Sequence, residues 1–383
     1  MTPGVNTSAG LEADDAPAPE HNIRPLVDTA LLSDWRGGGK VVHSAHRIYE
    51  HLISLWAPGA IEAAHDLGVF AKLSTGPMTS DQLAEACQAN RRAMRVLMDG
   101  LYAYDIVERS SADDGPAVYR MPEEMRECLL PDGLFSLVGK IEYDRQLAWR
   151  SWRNLADAVR HDNRDEVGEL QLNQIDEHNY ASLVRGINFW APPVVEALRG
   201  GFETLDWPTD RPASVLDIGC GTGLYSQLLL RQFEQWRATG LEAPHIAPIA
   251  EEQAGRLGVA DRFEVQVRDF WTESWGSGHD LLLFVNIFHL QTPESARELL
   301  HKSKQALSEN GVICIADHLV TGEQDAKSVQ DRFAMLFAVS MLATGGGDAF
   351  LVDEYDGWLA ETGLRRLALL DTPMHRILLA GHA

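Results

Sequence analysis

Two patterns of apolar and polar positions divide the chain. From Val41 to residue 200 the apolar residues recur mainly at helical spacing. Ile48, Leu52, Ile53, Leu55 and Trp56 form the first such stripe. Pro58 and Gly59 interrupt it, and 60–67 resumes it. Thr79 or Ser80 can cap a helix running through Leu83 and Ala86. Asn90 can cap the next, with Val96, Leu97, Leu101 and Tyr104 facing inward. Two β-like stretches follow at 106–109 and 118–121, joined by a polar link over 110–116. Helices followed by a hairpin make a winged-helix arrangement. Further helices are expected around 135–160 and 179–200.

The period changes after residues 208–212. Strand-length apolar runs now alternate with helical segments: strands at 214–218, 238–241, 263–267, 280–286 and 312–316, and helices at 224–233, 246–257 and 295–307. A helix near 353–362 and strands near 367–370 and 376–380 complete the pattern. Such alternation predicts an α/β domain with a parallel sheet covered on both faces. Residues 1–20, rich in Ala, Pro, Gly and acids, predict a flexible tail. Residues 21–40 leave a short helix open, on Leu26, Val27, Leu31, Leu32 and Trp35.

Composition narrows the function. Apolar residues at 45% and charged residues at 23% are globular values, sufficient for a large core. The net charge of −23 opposes binding to nucleic acid or to an anionic membrane surface. The cysteines, Cys87, Cys128, Cys220 and Cys314, are too far apart for a C-x-x-C motif and point to free thiols in the cytoplasm. The first twenty residues carry no Lys or Arg and so lack a secretory start, and no apolar run reaches membrane-span length.

The segment 214–223 joins a buried strand to a helix through Gly219, Gly221 and Gly223. Glycines there let the backbone turn sharply and approach a ligand. A dinucleotide fingerprint counted from Gly219 would need Gly or Ala where Leu224 stands, and no P-loop Gly-Lys-Ser/Thr is present. Asp217, just before the glycines, would repel a phosphate but receive an ammonium or sulfonium. Glu242, ending the next strand, can accept from ribose hydroxyls. Asp269, after the third, can accept from an exocyclic amine, with Phe270 packing on its ring.

These residues resemble motif I and the acidic ribose and adenine loops of class I S-adenosylmethionine methyltransferases. Gly-Leu-Glu-Ala-Pro at 240–244, Arg-Asp-Phe-Trp at 268–271 and the strand over 307–317 extend the resemblance. Residues 57–107 look like the dimerisation domain of bacterial and plant small-molecule O-methyltransferases, a group that includes antibiotic-tailoring enzymes. The resemblance implies S-adenosyl-L-methionine as cofactor, held by Asp217, Gly219, Gly221, Gly223, Glu242, Asp269, Phe270 and Asn286. It implies a general base at His289, where the family carries the His of His-Asp-Trp; here Leu290 and Gln291 follow. It implies a homodimer acting on a hydroxyl of a small aromatic metabolite in secondary metabolism. The domains would be a tail over 1–40, a helical winged-helix-like dimerisation domain over 41–200 and a Rossmann-like catalytic domain over 201–383.

Other constellations stay open. Asp317 and His318 could orient His289 or rival it as base. The apolar helix at 333–342 is a core or dimer helix, or it lines the substrate pocket through Met335 and Met341, flexible thioethers suited to flat ligands. Tyr143, Trp149, Trp152, Phe189 and Trp190 are candidates for the same pocket. Arg91, Arg92 and Arg95 read as a solvated helix face, and His43, His46 and Glu50 as surface residues without a fourth metal ligand. Rival activities are C- or N-methylation on the same fold, an NAD-dependent oxidoreductase, and a winged-helix regulator.

Overall fold

Near-continuous apolar runs such as Leu281–Leu282–Leu283–Phe284 suit strands covered on both faces, and that is where they lie. The computed structural model describes residues 26, 39–110, 115–162, 177–322, 328–344 and 347–383. The expected tail and short helix before residue 39 fall outside these, apart from Leu26, and so does most of the link over 110–116. The chain divides into two compact units, Met1–Val138 and Gly139–Ala383.

In the first unit, helices Gly39–Ile53, Trp56–Asp66 and Val69–Leu73 lead to Ser80–Ala86 and Arg91–Ala103. Thr79 caps the fourth through a capping box: its hydroxyl accepts from Gln82 N at 3.2 Å, while Gln82 Oε1 accepts from Thr79 N at 2.8 Å. Asn90 Oδ1 accepts from Ala93 N at 3.1 Å and starts the fifth. The inward face of that helix is Met94, Met98 and Leu101, whereas Val96 is exposed. Three short strands, β1 (Met78–Thr79), β2 (Glu108–Ser110) and β3 (Val118–Arg120), pair in the order β1-β3-β2 and form the wing. Ile53 is buried, but Ile48, Leu52, Leu55 and Trp56 are each more than half exposed. Arg91 and Arg95 pair with Asp81 and Asp99.

The second unit opens with helical segments. The helix expected over 135–160 is broken: Val138–Tyr143 runs through a wide π turn at Asp144–Ala148 into Trp149–Arg153 and Leu155–His161. The one expected over 179–200 is two helices, Glu177–Arg185 and Ala191–Thr204. Gly139, inside Val138–Tyr143, and Gly186, just after Glu177–Arg185, let these two stretches come together. A Cβ on Gly139 would lie 1.7 Å from Ser182 O, and one on Gly186 2.3 Å from Lys140 N, so the backbones touch where these glycines stand. These segments, grouped with the N-terminal domain on sequence, belong to the compact second unit.

The sheet follows: β4 (Ser214–Ile218), β5 (Arg237–Glu242), β6 (Phe263–Val267), β7 (His279–Val285), β8 (Leu307–Asp317), β9 (Leu364–Asp371) and β10 (Arg376–His382). Their order is β6-β5-β4-β7-β8-β10-β9. The first five run parallel; β10 is antiparallel to both neighbours. The order reverses between β4 and β7, which opens a crevice at their carboxyl ends, where open α/β sheets bind ligands. Helices Leu224–Gln232, Ala247–Leu257, Pro293–Ala306 and Val352–Thr362 and the β8-to-β9 helix Val329–Thr344 accompany the sheet. Among the described residues no helix is long and apolar enough to cross a membrane.

Candidate active site

β4 ends at Ile218, and the chain turns through Gly219 and Gly223 at φ 64° and 71°. Both positions are left-handed and crowded. A Cβ on Gly219 would sit 2.7 Å from Ile287 Cδ1, and one on Gly223 2.6 Å from Phe263 Cζ. Only glycine fits. Beneath this turn lie two acids. Asp217 is buried and accepts from the Ser226 hydroxyl at 2.6 Å and from the Ser226 backbone N–H. Glu242 accepts from Gly221 N and Ala243 N, both at 2.7 Å, and thereby ties the loop to the end of β5. Burial pushes Asp217 up to about 7, against the Ser226 hydrogen bond and with the help of the Glu242 charge. Burial also raises Glu242, against the N–H donors of Ala243 and Gly221. A group held this way gains from a neighbouring cation and keeps lone pairs for hydroxyl donors.

Asn286 follows β7 in a left-handed conformation, φ 58°, and its buried Oδ1 has no hydrogen-bond partner among the described residues. Asp269 is exposed. Its oxygens accept from Trp271 N at 2.9 Å and Thr272 Oγ1 at 2.8 Å, which shapes the turn after β6. Phe270 beside it is partly buried and packs on the sheet core. Raised acids, an orphaned amide oxygen and a glycine turn therefore meet at the carboxyl ends of β4, β5 and β7. They suit a ligand with an ammonium, a sulfonium and ribose hydroxyls.

A second cluster stands at the ends of β7 and β8. His289 lies in the short 3-10 turn Phe288–Leu290. Its Nδ1 is 2.7 Å from Asp317 Oδ1, and its backbone N–H donates to Asp317 Oδ2 at 3.1 Å. Both residues are buried. Burial pushes the Asp317 carboxyl up, but the His289 charge and hydrogen bond, with His318, outweigh it and hold the group well below the usual range. An ionised Asp317 accepts from Nδ1–H, so that in the neutral imidazole Nε2 is the free acceptor. Ligand atoms of His289, Asp317 and His318 lie within 4.8 Å of one another, a spacing a cation could use. The 2.7 Å contact reads instead as a hydrogen bond. His46, offered above as a surface residue, has its Nδ1 2.9 Å from Val42 O.

Around His289 the walls are aromatic. Phe337 meets its ring edge-on at 5.1 Å, and the His318 ring lies at 5.4 Å. Phe333, Phe337 and Trp190 close on His318. Met335 stands on the other face of its helix, 54% exposed, and does not join them. Met341 lies against Gly347, whose own neighbour is the His289 carbonyl. Tyr143 bonds Thr344 of the Val329–Thr344 helix, and burial raises its phenol. Trp149 lies in the segment Trp149–Arg153. His375, absent from the sequence-derived candidates, joins the cluster 5.6 Å from His318. It lies in no motif; only strand pairing reveals it.

The O-methyltransferase domain family matches residues 152–365, and the O-methyltransferase dimerisation domain matches 49–125. The chain is 25% identical over 320 residues to 3-hydroxy-5-methyl-1-naphthoate 3-O-methyltransferase of Streptomyces sahachiroi, covering 81% of this chain and 86% of that one. It is 24% identical over 315 residues to L-tyrosine C(3)-methyltransferase of Streptomyces lavendulae, covering 79% and 82%. The fold matches human N-acetylserotonin methyltransferase, solved in complex with S-adenosylmethionine, with a TM-score of 0.75 at 18% identity over 88% of this chain and 97% of that one. With its glycine turn, its paired acids and both domains of the family in place, the chain belongs to the O-methyltransferase domain family and is an S-adenosylmethionine-dependent methyltransferase.

Proposed function

We propose that the chain methylates a phenolic hydroxyl of a small aromatic metabolite, in secondary metabolism, with His289 as the general base. The observation that carries this is the buried His289–Asp317 pair, 2.7 Å apart, at the ligand-binding ends of β7 and β8. Bound S-adenosylmethionine supplies an electrophilic methyl group, and the rest is alignment and removal of the acceptor proton. His289 Nε2 takes that proton. Asp317 holds the ring in the correct tautomer and steadies the imidazolium. The aromatic wall of Phe333, Phe337 and Trp190 excludes water and packs a flat acceptor. Trp149 and Met341 are assigned to the same acceptor pocket.

Asp217 receives the cationic end of the cofactor and Glu242 its ribose hydroxyls. Gly219, Gly221 and Gly223 let the backbone come close, Asn286 Oδ1 accepts from it, and Asp269 with Phe270 borders the adenine. The exposed stripe of Leu52, Leu55 and Trp56 supports a homodimer built on the dimerisation domain. The reading is of a cytoplasmic enzyme, supported by four free cysteines. The ion-paired Arg91 and Arg95 and the net charge of −23 speak against a nucleic-acid partner.

His289→Gln tests the base. Glutamine keeps bulk and hydrogen bonding but cannot take the proton, so turnover should fall by about 10²–10⁴-fold with cofactor affinity near wild type. Near-normal turnover would end the assignment. One relative methylates a ring carbon of tyrosine, which favours a second reading, methylation beside a phenol. The same base serves it, and product NMR separates the two.

A further inference from the structure

Four ring nitrogens beside His289 are buried with no hydrogen-bond partner among the described residues: Nδ1 and Nε2 of His318, Nε2 of His375 and Nε1 of Trp190. Buried polar atoms in folded proteins are almost always paired, so four orphans in one place call for a function. They come from three separate segments, each fixed by its own contacts. The antiparallel register of β8 and β10 pairs Asp317 with Arg376, so the next residues, His318 and His375, fall opposite each other. Their rings are 5.6 Å apart. Trp190 ends the turn Asn188–Trp190, which is clipped to the glycine loop by Thr222 Oγ1 donating to Asn188 Oδ1 at 2.6 Å. Its ring lies 5.8 Å from His318 and 5.7 Å from His375.

The polarity of these atoms defines what they can hold. Burial lowers His318 to about 3 and His375 to about 4, so both rings are neutral. The Thr372 hydroxyl has one proton and gives it to His375 O at 2.7 Å. His375 Nδ1, 3.1 Å from that hydroxyl, is then the donor, which leaves Nε2 as a bare acceptor. Trp190 Nε1 only donates. His318 offers one donor and one acceptor. The adjacent Arg376 is taken up by Asp331 and Asp371, and the Asp317 carboxylate is buried close by. Among the described residues here, an anion would find Arg376 already paired and a negative neighbour. A hydroxyl, which donates and accepts without charge, satisfies the set.

We propose that His318, His375 and Trp190 form a second recognition point in the acceptor pocket, holding an uncharged hydroxyl that the aromatic acceptor carries besides the one methylated. This rests on the methyl-acceptor reading of the pocket above, and it adds that the acceptor is a neutral polyhydroxylated aromatic.

The test measures binding to the full-length enzyme loaded with S-adenosylhomocysteine, so that it does not depend on turnover. The probes are 2-naphthol, 2,3- and 2,7-dihydroxynaphthalene, and 3-hydroxy-2-naphthoate. At least one diol should bind tenfold or more tighter than 2-naphthol, and the carboxylate no tighter than 2-naphthol. In Trp190→Phe and in His375→Phe the diol advantage should shrink at least threefold, with cofactor affinity and melting temperature reporting that each variant is folded. Equal binding of diol and naphthol by the wild type, no binding of either, tighter binding of the carboxylate, or an advantage that survives both variants would overturn the proposal. His289→Gln separates it from the base assignment. If that variant turns over normally the base is lost, while the diol-to-naphthol ratio still decides the recognition point.

Discussion

Asp217 and Asp317 sit at the same ends of two parallel strands of one sheet, and both are buried. They titrate in opposite directions. Asp217 is driven up to about 7 because burial, helped by the like charge of Glu242, outweighs the hydroxyl and backbone donors of Ser226. Asp317 is also penalised by burial, but His289 and His318 supply enough charge and hydrogen bonding to hold it well below the usual range. Depth alone therefore does not set the charge of a carboxyl. Asp317 has its counterion in the chain, and Asp217 must receive one from a ligand. One acid is finished by folding and the other by binding.

The largest expected effect breaks the finished pair. Asp317→Asn keeps the shape but reverses the hydrogen bond to His289, so Nδ1 no longer holds the proton. Turnover should fall by about 10²–10⁴-fold while calorimetric cofactor affinity stays near wild type. A variant retaining a tenth of wild-type turnover would show that the pair is only structural. Next comes the loop above Asp217. Gly223→Val puts a branched side chain at φ 71°, against Gln227 and Phe263. It should cost about 1–3 kcal/mol of stability in a denaturant titration and abolish cofactor binding.

A pH experiment sharpens the contrast. With its folded pKa near 7 and its unfolded value near 3.8, Asp217 keeps a proton in the fold that the unfolded chain has lost. Its contribution to stability is therefore greatest below about 3.8 and declines as pH rises toward 7. The cofactor-free protein should lose up to about 1.4 kcal/mol per pH unit across that window from this group, and Asp217→Asn should flatten the slope. Asp317 has the opposite sign: its contribution is present above about 3.8 and is lost as pH falls. Cofactor binding near pH 6 should release a proton, seen as a buffer-dependent calorimetric enthalpy, and Asp217→Asn should remove it. The smallest effect belongs to Met335→Ala. At an exposed position it should change stability by less than about 0.5 kcal/mol and leave acceptor KM unaltered.

Much of the second unit was legible because two independent signals coincide there. Unbroken apolar runs mark strands buried on both faces, and the three glycines and three acids mark their carboxyl ends. The close approach of the earlier helical stretches leaves no trace in the sequence. Gly139 and Gly186 look like tolerated helix glycines until Ser182 and Lys140 are seen pressed against them. On Arg91–Ala103 the sequence points to Leu101, which is buried, but also to Val96, which is exposed because the less apolar Met94 and Met98 take the inward face. His289 and Asp317 could be placed from strand ends. His375 could not, because its neighbour His318 is set by an antiparallel register across 57 positions of chain, a long-range pairing with no local trace. Met335 suits a pocket by side-chain character, but the helix turns Phe333 and Phe337 to the site and Met335 away.

The position of β10 between β8 and β9 has a consequence for synthesis on the ribosome. The five parallel strands can pair as they emerge, but β8 keeps an open edge until residues 376–382 are released. During that interval a long apolar strand is exposed to aggregation or chaperone capture, and His318 has no His375 opposite it. The nascent chain can thus assemble its glycine turn well before its histidine wall, and the order of folding runs from methyl donor to methyl acceptor.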